Sequence, residues 1–357
     1  MTLVYHDPDV PARPRRELQL PNPEIHDVRA SDGVALRLTR YRGGPKGPVI
    51  VSHCIGVSSR MYTIDTIETT LAEFLCARGF DLWLLDFRFS IALPASREPS
   101  TFDDVATRDY PAAVAAVRHL AGATTVQIVA HGVGASTLTM ALLSGLDGVR
   151  AAVFSQVSTH LFLPPLNRVA VSLRLPSVAA ALGVRTLSSY TDARAAWTGR
   201  LADRCLMLYP YQPGERCASA VCHRITALFG PLYKHDRLNP QTHDALHELF
   251  GVVNLQAFRQ LSLIGRRQHL VDARGGEAYL PYLKRLALPI LFLHGSDNAC
   301  VLPASTEMTH ALLSKANGTD LYRRAVIPGY GHVDCMFGAR ASQDVFPHIV
   351  DRLEGAT

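Results

Sequence analysis

Along the first half of the chain, short runs that are apolar almost throughout alternate with segments whose apolar residues recur every three or four positions. Val49–Ile50–Val51, residues 81–86 (DLWLLD), 126–130 and 149–157 are of the first kind. Such runs predict strands covered on both faces. Between them the spacing predicts three helices. One places Ile64, Ile67, Leu71, Phe74 and Leu75 on one face, with Asp65 and Glu68 as a capping box and Gly79 as the stop. A second covers about 101–120 with a break at Pro111, and a third about 134–146. Ahead of these, residues 25–31 and 35–41 alternate apolar and polar around Ser-Asp-Gly, a hairpin pattern. Strand–helix alternation of this kind predicts an α/β fold with a mostly parallel central sheet flanked by helices.

The alternation stops at about residue 158. Residues 158–288 show mainly helical periodicity and no buried strand. It resumes with a strand at 289–294, a helix at 303–316, a strand at 321–327 and a last helix at 341–353. The expected organisation is an irregular proline-rich arm (1–24), a core made of 25–157 and 289–357, and a large helical lid (158–288) inserted between two strands. In such sheets ligands bind at the carboxyl ends of the strands, so the lid is expected above them. Its aromatic and apolar residues, Phe162, Leu163, Leu173, Phe229, Tyr233, Phe250 and Phe258 among them, read as packing.

Composition narrows the function classes. Apolar residues make up 48% and charged residues 19%, ordinary for a globular protein. The net charge of +5 is spread out, apart from Arg13–Pro14–Arg15–Arg16, which reads as a solvated arm, so no nucleic-acid partner is expected. The most apolar stretch, 161–184, is broken by prolines and arginines, which argues against an integral membrane segment. Seven scattered cysteines read as reduced thiols, and the first residues lack the apolar run of a signal peptide; the expected location is cytoplasmic. Cys217 and Cys222–His223 do not have zinc-pair spacing in a stretch that looks helical, so no metal is expected. No dinucleotide fingerprint is present near the start, and no cofactor is expected.

The candidate chemistry lies in loops at predicted strand ends. Ala130–His131–Gly132–Val133–Gly134–Ala135 resembles the nucleophile elbow, G-x-S-x-G, of α/β-hydrolases. The position that carries the nucleophile there is Gly132, which has no side chain. His294–Gly295–Ser296–Asp297 follows the next strand and offers Asp297 as the triad acid. Pro328–Gly329–Tyr330–Gly331–His332 follows the last strand and offers His332 as the base, with Asp334 as an alternative partner for it. Positions 132, 297 and 332 keep the superfamily's order of nucleophile, acid and histidine. His53–Cys54–Ile55–Gly56 matches the oxyanion loop, with Cys54 where a glycine is usual. Ile55 and Val133 would supply the oxyanion-hole amides. His53, His131 and His160 are candidate substrate contacts that also read as core-edge histidines, and Asp86 with Arg88 reads as a structural ion pair.

Further stretches, SSRMYTIDTIETTLAEFLCARGFDLWLLDFR, CHRITALFGPLY and VIPGYGHVDCMFGARASQDVFPHI, resemble the α/β-hydrolase domain associated with cholesterol-oxidase-like flavoproteins of the glucose–methanol–choline class. The resemblance covers nearly the whole chain. It implies a hydrophobic, sterol- or lipid-like substrate and a flavin oxidoreductase partner. In that family's pattern the elbow carries Cys and the oxyanion loop Gly; here the two are exchanged. Three readings follow. Cys54 is a nucleophile activated by His332. Alternatively, a His332–Asp297 dyad activates water or an acidic proton, for hydrolysis of an ester, lactone or thioester or for lyase chemistry. The third is a catalytically inactive pseudo-hydrolase that binds a lipid-like ligand or supports an oxidoreductase.

Overall fold

The computed structural model describes residues 2–173 and 175–355. Eight strands form one sheet: β1 (Glu24–Arg29), β2 (Ala35–Tyr41), β3 (Pro48–Ser52), β4 (Asp81–Asp86), β5 (Val126–His131), β6 (Val149–Ser155), β9 (Ile290–Gly295) and β10 (Tyr322–Ile327). Their spatial order is β1-β2-β4-β3-β5-β6-β9-β10. The hairpin β1–β2 is antiparallel, β2 meets β4 antiparallel, and every later pairing is parallel. β3, β4, β5 and β9 are buried at every position, as their unbroken apolar character requires in a sheet covered on both sides. The strand order places the ends of β3, β5 and β9 and the turn after β10 along one rim.

One apolar core lies beneath the helices Tyr110–Ala121 and Val133–Leu143, and a second, on the opposite face, beneath Leu71–Ala77 and Phe346–Glu354. Several local details differ from the sequence expectation. The first helix begins at Leu71 rather than near 64, and its capping box is Thr70–Glu73. Asp65 is engaged elsewhere: its carboxylate takes both terminal nitrogens of Arg13 at 2.7 Å. Arg13 also reaches Glu248, and Arg16 bonds both oxygens of Glu73. The basic arm is therefore pinned by buried carboxylates rather than solvated. Pro111 does not break its helix. The five residues Val105–Asp109 before it form a π turn, which removes the need for the proline's missing N–H. Arg88 pairs with Asp109 and Asp32, while Asp86 accepts from Ser59 and Ser90.

The insertion is mainly helical, including Pro165–Ser172, Trp197–Leu206, Ala220–Phe229 and Leu255–Arg267. It also holds an unexpected two-stranded pair, β7 (Thr186–Ser188) with β8 (Val252–Asn254), whose Val253 and Asn254 are buried. Three residues per strand are too few for an alternation to be seen in sequence.

Candidate active site

The rim is built from turns that need particular backbones. At the end of β5, Gly132 takes φ 55° and ψ −123°, a region costly for any residue with a side chain, and Val133 then starts the helix Val133–Leu143. Two residues on, a Cβ on Gly134 would lie 2.4 Å from the His53 carbonyl, so the β5 turn and the β3 loop approach as closely as they do only with glycine there.

A Cβ placed on Gly132 would lie 2.5 Å from Cys54 Sγ and 3.0 Å from His332 Nε2. The thiol of the facing loop thus occupies the space into which an elbow side chain would project, beside the imidazole. The Val133 amide donates to Cys54 Sγ at 3.4 Å. Burial pushes the Cys54 thiol up to about 11; the amides of Val133 and Ile55, which face the sulfur, work against that rise. Of the expected residues, Cys54, Gly132, Ile55, Val133 and His332 are brought together.

Asp297 is not with them. Its carboxylate is exposed and accepts from Ser296 Oγ at 2.6 Å, while its own amide donates to the Tyr330 carbonyl. The residue behind His332 is the next one, Asn298, whose Nδ2 lies 3.0 Å from His332 Nδ1. The turn after β9 points residue 297 outward and residue 298 into the protein, which sequence order alone did not distinguish. Asp334 also turns away, accepting from the amides of Gly331 and Lys234.

The orientation of Asn298 is fixed from both ends. Its Oδ1 accepts from the amides of Cys300 and Val301, each at 2.9 Å, and its Nδ2 also donates to Gln156 Oε1 at 3.0 Å. The amide therefore presents N–H, not oxygen, to His332 Nδ1. A neutral imidazole must accept there and carry its own proton on Nε2, the nitrogen beside Cys54. Burial drives the His332 pKa well below the ordinary histidine value, with the rings of His131 and His294 acting in the same direction. At rest the pair is a protonated thiol and a neutral imidazole.

The other candidate histidines lie around the site rather than in it, and His131 packs edge-on against His332 with ring centroids 4.9 Å apart. His53 is fully buried, stacked on Phe87 with ring centroids 4.2 Å apart, with Nδ1 on the Cys54 carbonyl and Nε2 3.6 Å from Asp86. His131 is buried against Ser155 Oγ at 3.0 Å. His160 pairs with Thr159 and lies near His269. None of the three lines the cavity.

That cavity, about 420 Å³, opens over Cys54, Gly132 and His332. Its walls are almost wholly apolar, and most come from the insertion, including Leu161, Leu163, Phe229 and Phe258. These side chains are more than packing, contrary to the sequence expectation; periodicity shows that a face is apolar but not what it faces.

One cluster bears on the expectation of no metal. Cys217, Cys222, His235 and His243 bring one sulfur or nitrogen each to within 4.8 Å of one another. His223, the neighbour singled out in the sequence, points instead to Tyr211 and the Cys217 carbonyl. In sequence the four are spaced C-x4-C-x12-H-x7-H.

A family model described as the alpha/beta hydrolase fold matches residues 47–339. The chain is 25% identical to the lipase lipl-3 of Caenorhabditis elegans over 370 residues, spanning 92% of this chain and 87% of that protein. Among solved structures, a monoacylglycerol lipase of Paleococcus ferrophilus is similar with TM-score 0.57 at 13% identity, covering 90% of this chain and 99% of that one. An esterase of Thermogutta terrifontis gives TM-score 0.55 at 16% identity, covering 93% and 99%.

Proposed function

The chain belongs to the α/β-hydrolase family, and from that premise we propose that it hydrolyses a hydrophobic carboxylic ester with Cys54 as nucleophile and His332 as proton carrier. The observation that carries this reading is the Cys54 sulfur filling the space above Gly132 beside His332 Nε2. The missing elbow side chain is replaced from the opposite loop. The exchange keeps the same two amides in place, since Ile55 follows Cys54 and Val133 follows Gly132.

In the proposed sequence, His332 first shifts its proton to Nδ1. Nε2 then takes the Cys54 proton while sulfur attacks the ester carbonyl carbon. The sulfur swings out of the amide cradle, and the carbonyl oxygen takes its place against Ile55 and Val133 as negative charge develops. The alkoxide leaves with the proton from Nε2, giving a thioester, and water reverses the steps to release acid and thiol. Asn298 makes the first step costly, because an N–H on Nδ1 would face the Asn298 amide hydrogens. Turnover is therefore slow compared with a carboxylate-backed histidine. Replacing such a carboxylate by an amide costs about 10⁴-fold in a serine protease.

The apolar cavity favours a long acyl chain or a fused-ring alcohol, in a volume range ordinary for small-molecule sites. A lactone or thioester would follow the same steps. The names of the lipase and esterase relatives support ester chemistry. Location in the cytoplasm and partnership with a flavin oxidoreductase of the glucose–methanol–choline class are part of the proposal, the latter resting on the resemblance of the stretches quoted above.

The test is incubation with p-nitrophenyl esters of graded chain length, followed by peptide-mapped mass spectrometry. An acyl adduct on Cys54, with turnover lost in Cys54→Ala, is the expected result. Turnover that survives Cys54→Ala sinks the thiol mechanism and points to water activated at His332. A second reading, an inactive lipid-binding pseudo-hydrolase, is favoured by one observation: the Cys54 sulfur occupies the Val133 amide that would otherwise serve an oxyanion. Binding of these esters without turnover or adduct would select it.

A further inference from the structure

We propose that Cys217, Cys222, His235 and His243 form a structural zinc site inside the insertion, distinct from the rim where the ester is cut. The four groups come from three separate pieces of chain. Cys217 lies in the loop before the helix Ala220–Phe229 and Cys222 in that helix's first turn. His235 opens the turn His235–Arg237, and His243 lies in the short helix Pro240–Asp244. Their donor atoms all fall within 4.8 Å of one another. Zn–S and Zn–N bonds of about 2.3 and 2.0 Å set tetrahedral edges of about 3.3–3.8 Å. Small side-chain rotations close that difference.

Three further observations point to a cation. His235 Nδ1 donates to Glu215 Oε2 at 2.8 Å, and its backbone amide bonds the same oxygen at 3.0 Å. That fixes the ring with its other nitrogen, Nε2, toward Cys222 Sγ at 3.5 Å. A carboxylate behind a ligating histidine is the arrangement that orients metal-bound imidazoles. His243 Nε2 is buried and has no hydrogen-bond partner. The Tyr233 hydroxyl donates to Cys222 Sγ at 2.9 Å, a contact that suits a sulfur carrying negative charge. Two thiolates and two neutral imidazoles around Zn²⁺ make a neutral group fit for burial, and binding releases the two thiol protons. Two sulfur and two nitrogen donors select zinc over magnesium or calcium. Four protein ligands leave no open position, which makes the role structural.

The metal would tie down the wall of the ester pocket. The segment between Cys222 and His235 carries Phe229 and Leu232, both of which line the cavity. The Leu232 carbonyl accepts from the amides of His332 at 2.9 Å and Val333 at 2.8 Å. A cross-link from the loop at 217 to the helix at 243 therefore holds the residue on which the His332 turn rests.

The experiment uses the full chain, purified under reducing conditions and reconstituted with zinc, with metal content read by elemental mass spectrometry. About one equivalent per chain is expected, released by a thiol-blocking mercurial. Cobalt substitution should give sulfur-to-metal charge-transfer absorption and tetrahedral d–d bands. Cys217→Ser should lose the zinc and the charge-transfer intensity, with Tm falling by more than about 5 °C. Cys205→Ser, which alters an exposed thiol, should keep both. Zinc content below about a tenth of an equivalent after reconstitution overturns the site. So does full retention in Cys217→Ser, or a Cys217–Cys222 disulfide that persists in the reduced preparation. Wild-type zinc content and the cobalt spectrum decide the question even if a variant fails to fold.

Discussion

The protein holds two places where a thiol meets an imidazole, and they differ in what stands behind the ring. At the rim, His332 is backed by the N–H of Asn298. In the insertion, His235 is backed by the carboxylate of Glu215. The amide forces a neutral His332 to carry its proton on the nitrogen that faces Cys54. The carboxylate does the reverse and leaves His235 a lone pair toward Cys222. The ionisation tendencies follow. Burial takes His332 well below the ordinary value and Cys54 up to about 11. With thiol and imidazole present at both sites, the group behind the ring decides whether the ring turns an N–H or a lone pair toward the sulfur.

The largest effect that tests this contrast is at the thiol itself. Cys54→Ala should lower kcat/KM for a p-nitrophenyl ester by at least about 10³-fold, because the residual site has binding and oxyanion donors but no nucleophile. A loss under tenfold would mean that the sulfur is a bystander.

Reversing the amide should help rather than harm. Asn298→Asp is expected to raise kcat/KM by about 10²-fold, since a carboxylate accepts the Nδ1 proton and stabilises the imidazolium. It should also raise the His332 pKa and so bring an acid limb into the pH–rate profile. An unchanged rate with an unchanged profile would show that the tautomer does not limit turnover.

The mirror experiment is Glu215→Gln. Removing the carboxylate behind His235 should weaken zinc retention by about 10- to 100-fold in a chelator competition. Equal retention would break the parallel between the two sites.

At Gly132 the expected effect is on stability. Gly132→Ala places a Cβ 2.5 Å from Cys54 Sγ at a positive φ, and should cost about 1–3 kcal/mol in chemical denaturation. Adding Cys54→Gly should recover the part due to the clash and leave the part due to the backbone.

The smallest change is expected in the pH dependence of the wild-type enzyme. A histidine whose pKa is lowered stays neutral at pH values where an ordinary one charges. The rate should therefore stay flat between about pH 6 and 8 and fall only at lower pH, as His332 becomes protonated. A limb near 6.5 would show a solvated ring.

Much of this was legible in the chain. Fully apolar runs such as 81–86 and 126–130 dictate buried parallel strands, because no other element hides both faces of so short a segment. Glycines 132 and 134 mark the tight turn, and the order of positions 132, 297 and 332, with the loop at 54, predicted turns meeting at one rim, where the side chains of Cys54 and His332 lie over Gly132 but that of Asp297 points away. Sequence could not choose between Asp297 and Asn298, since one residue of turn geometry decides which side chain points inward. Nor could it show that His53 stacks on Phe87 while His131 packs edge-on against His332. The four groups of the insertion, spread over residues 217–243, become neighbours only when a loop, two helices and a turn fold back on one another. Local pattern fixes burial and period, because those depend on neighbours along the chain. Which nitrogen carries a proton, and which thiols can share a metal, depends on partners far away in sequence, and only the tertiary structure supplies them.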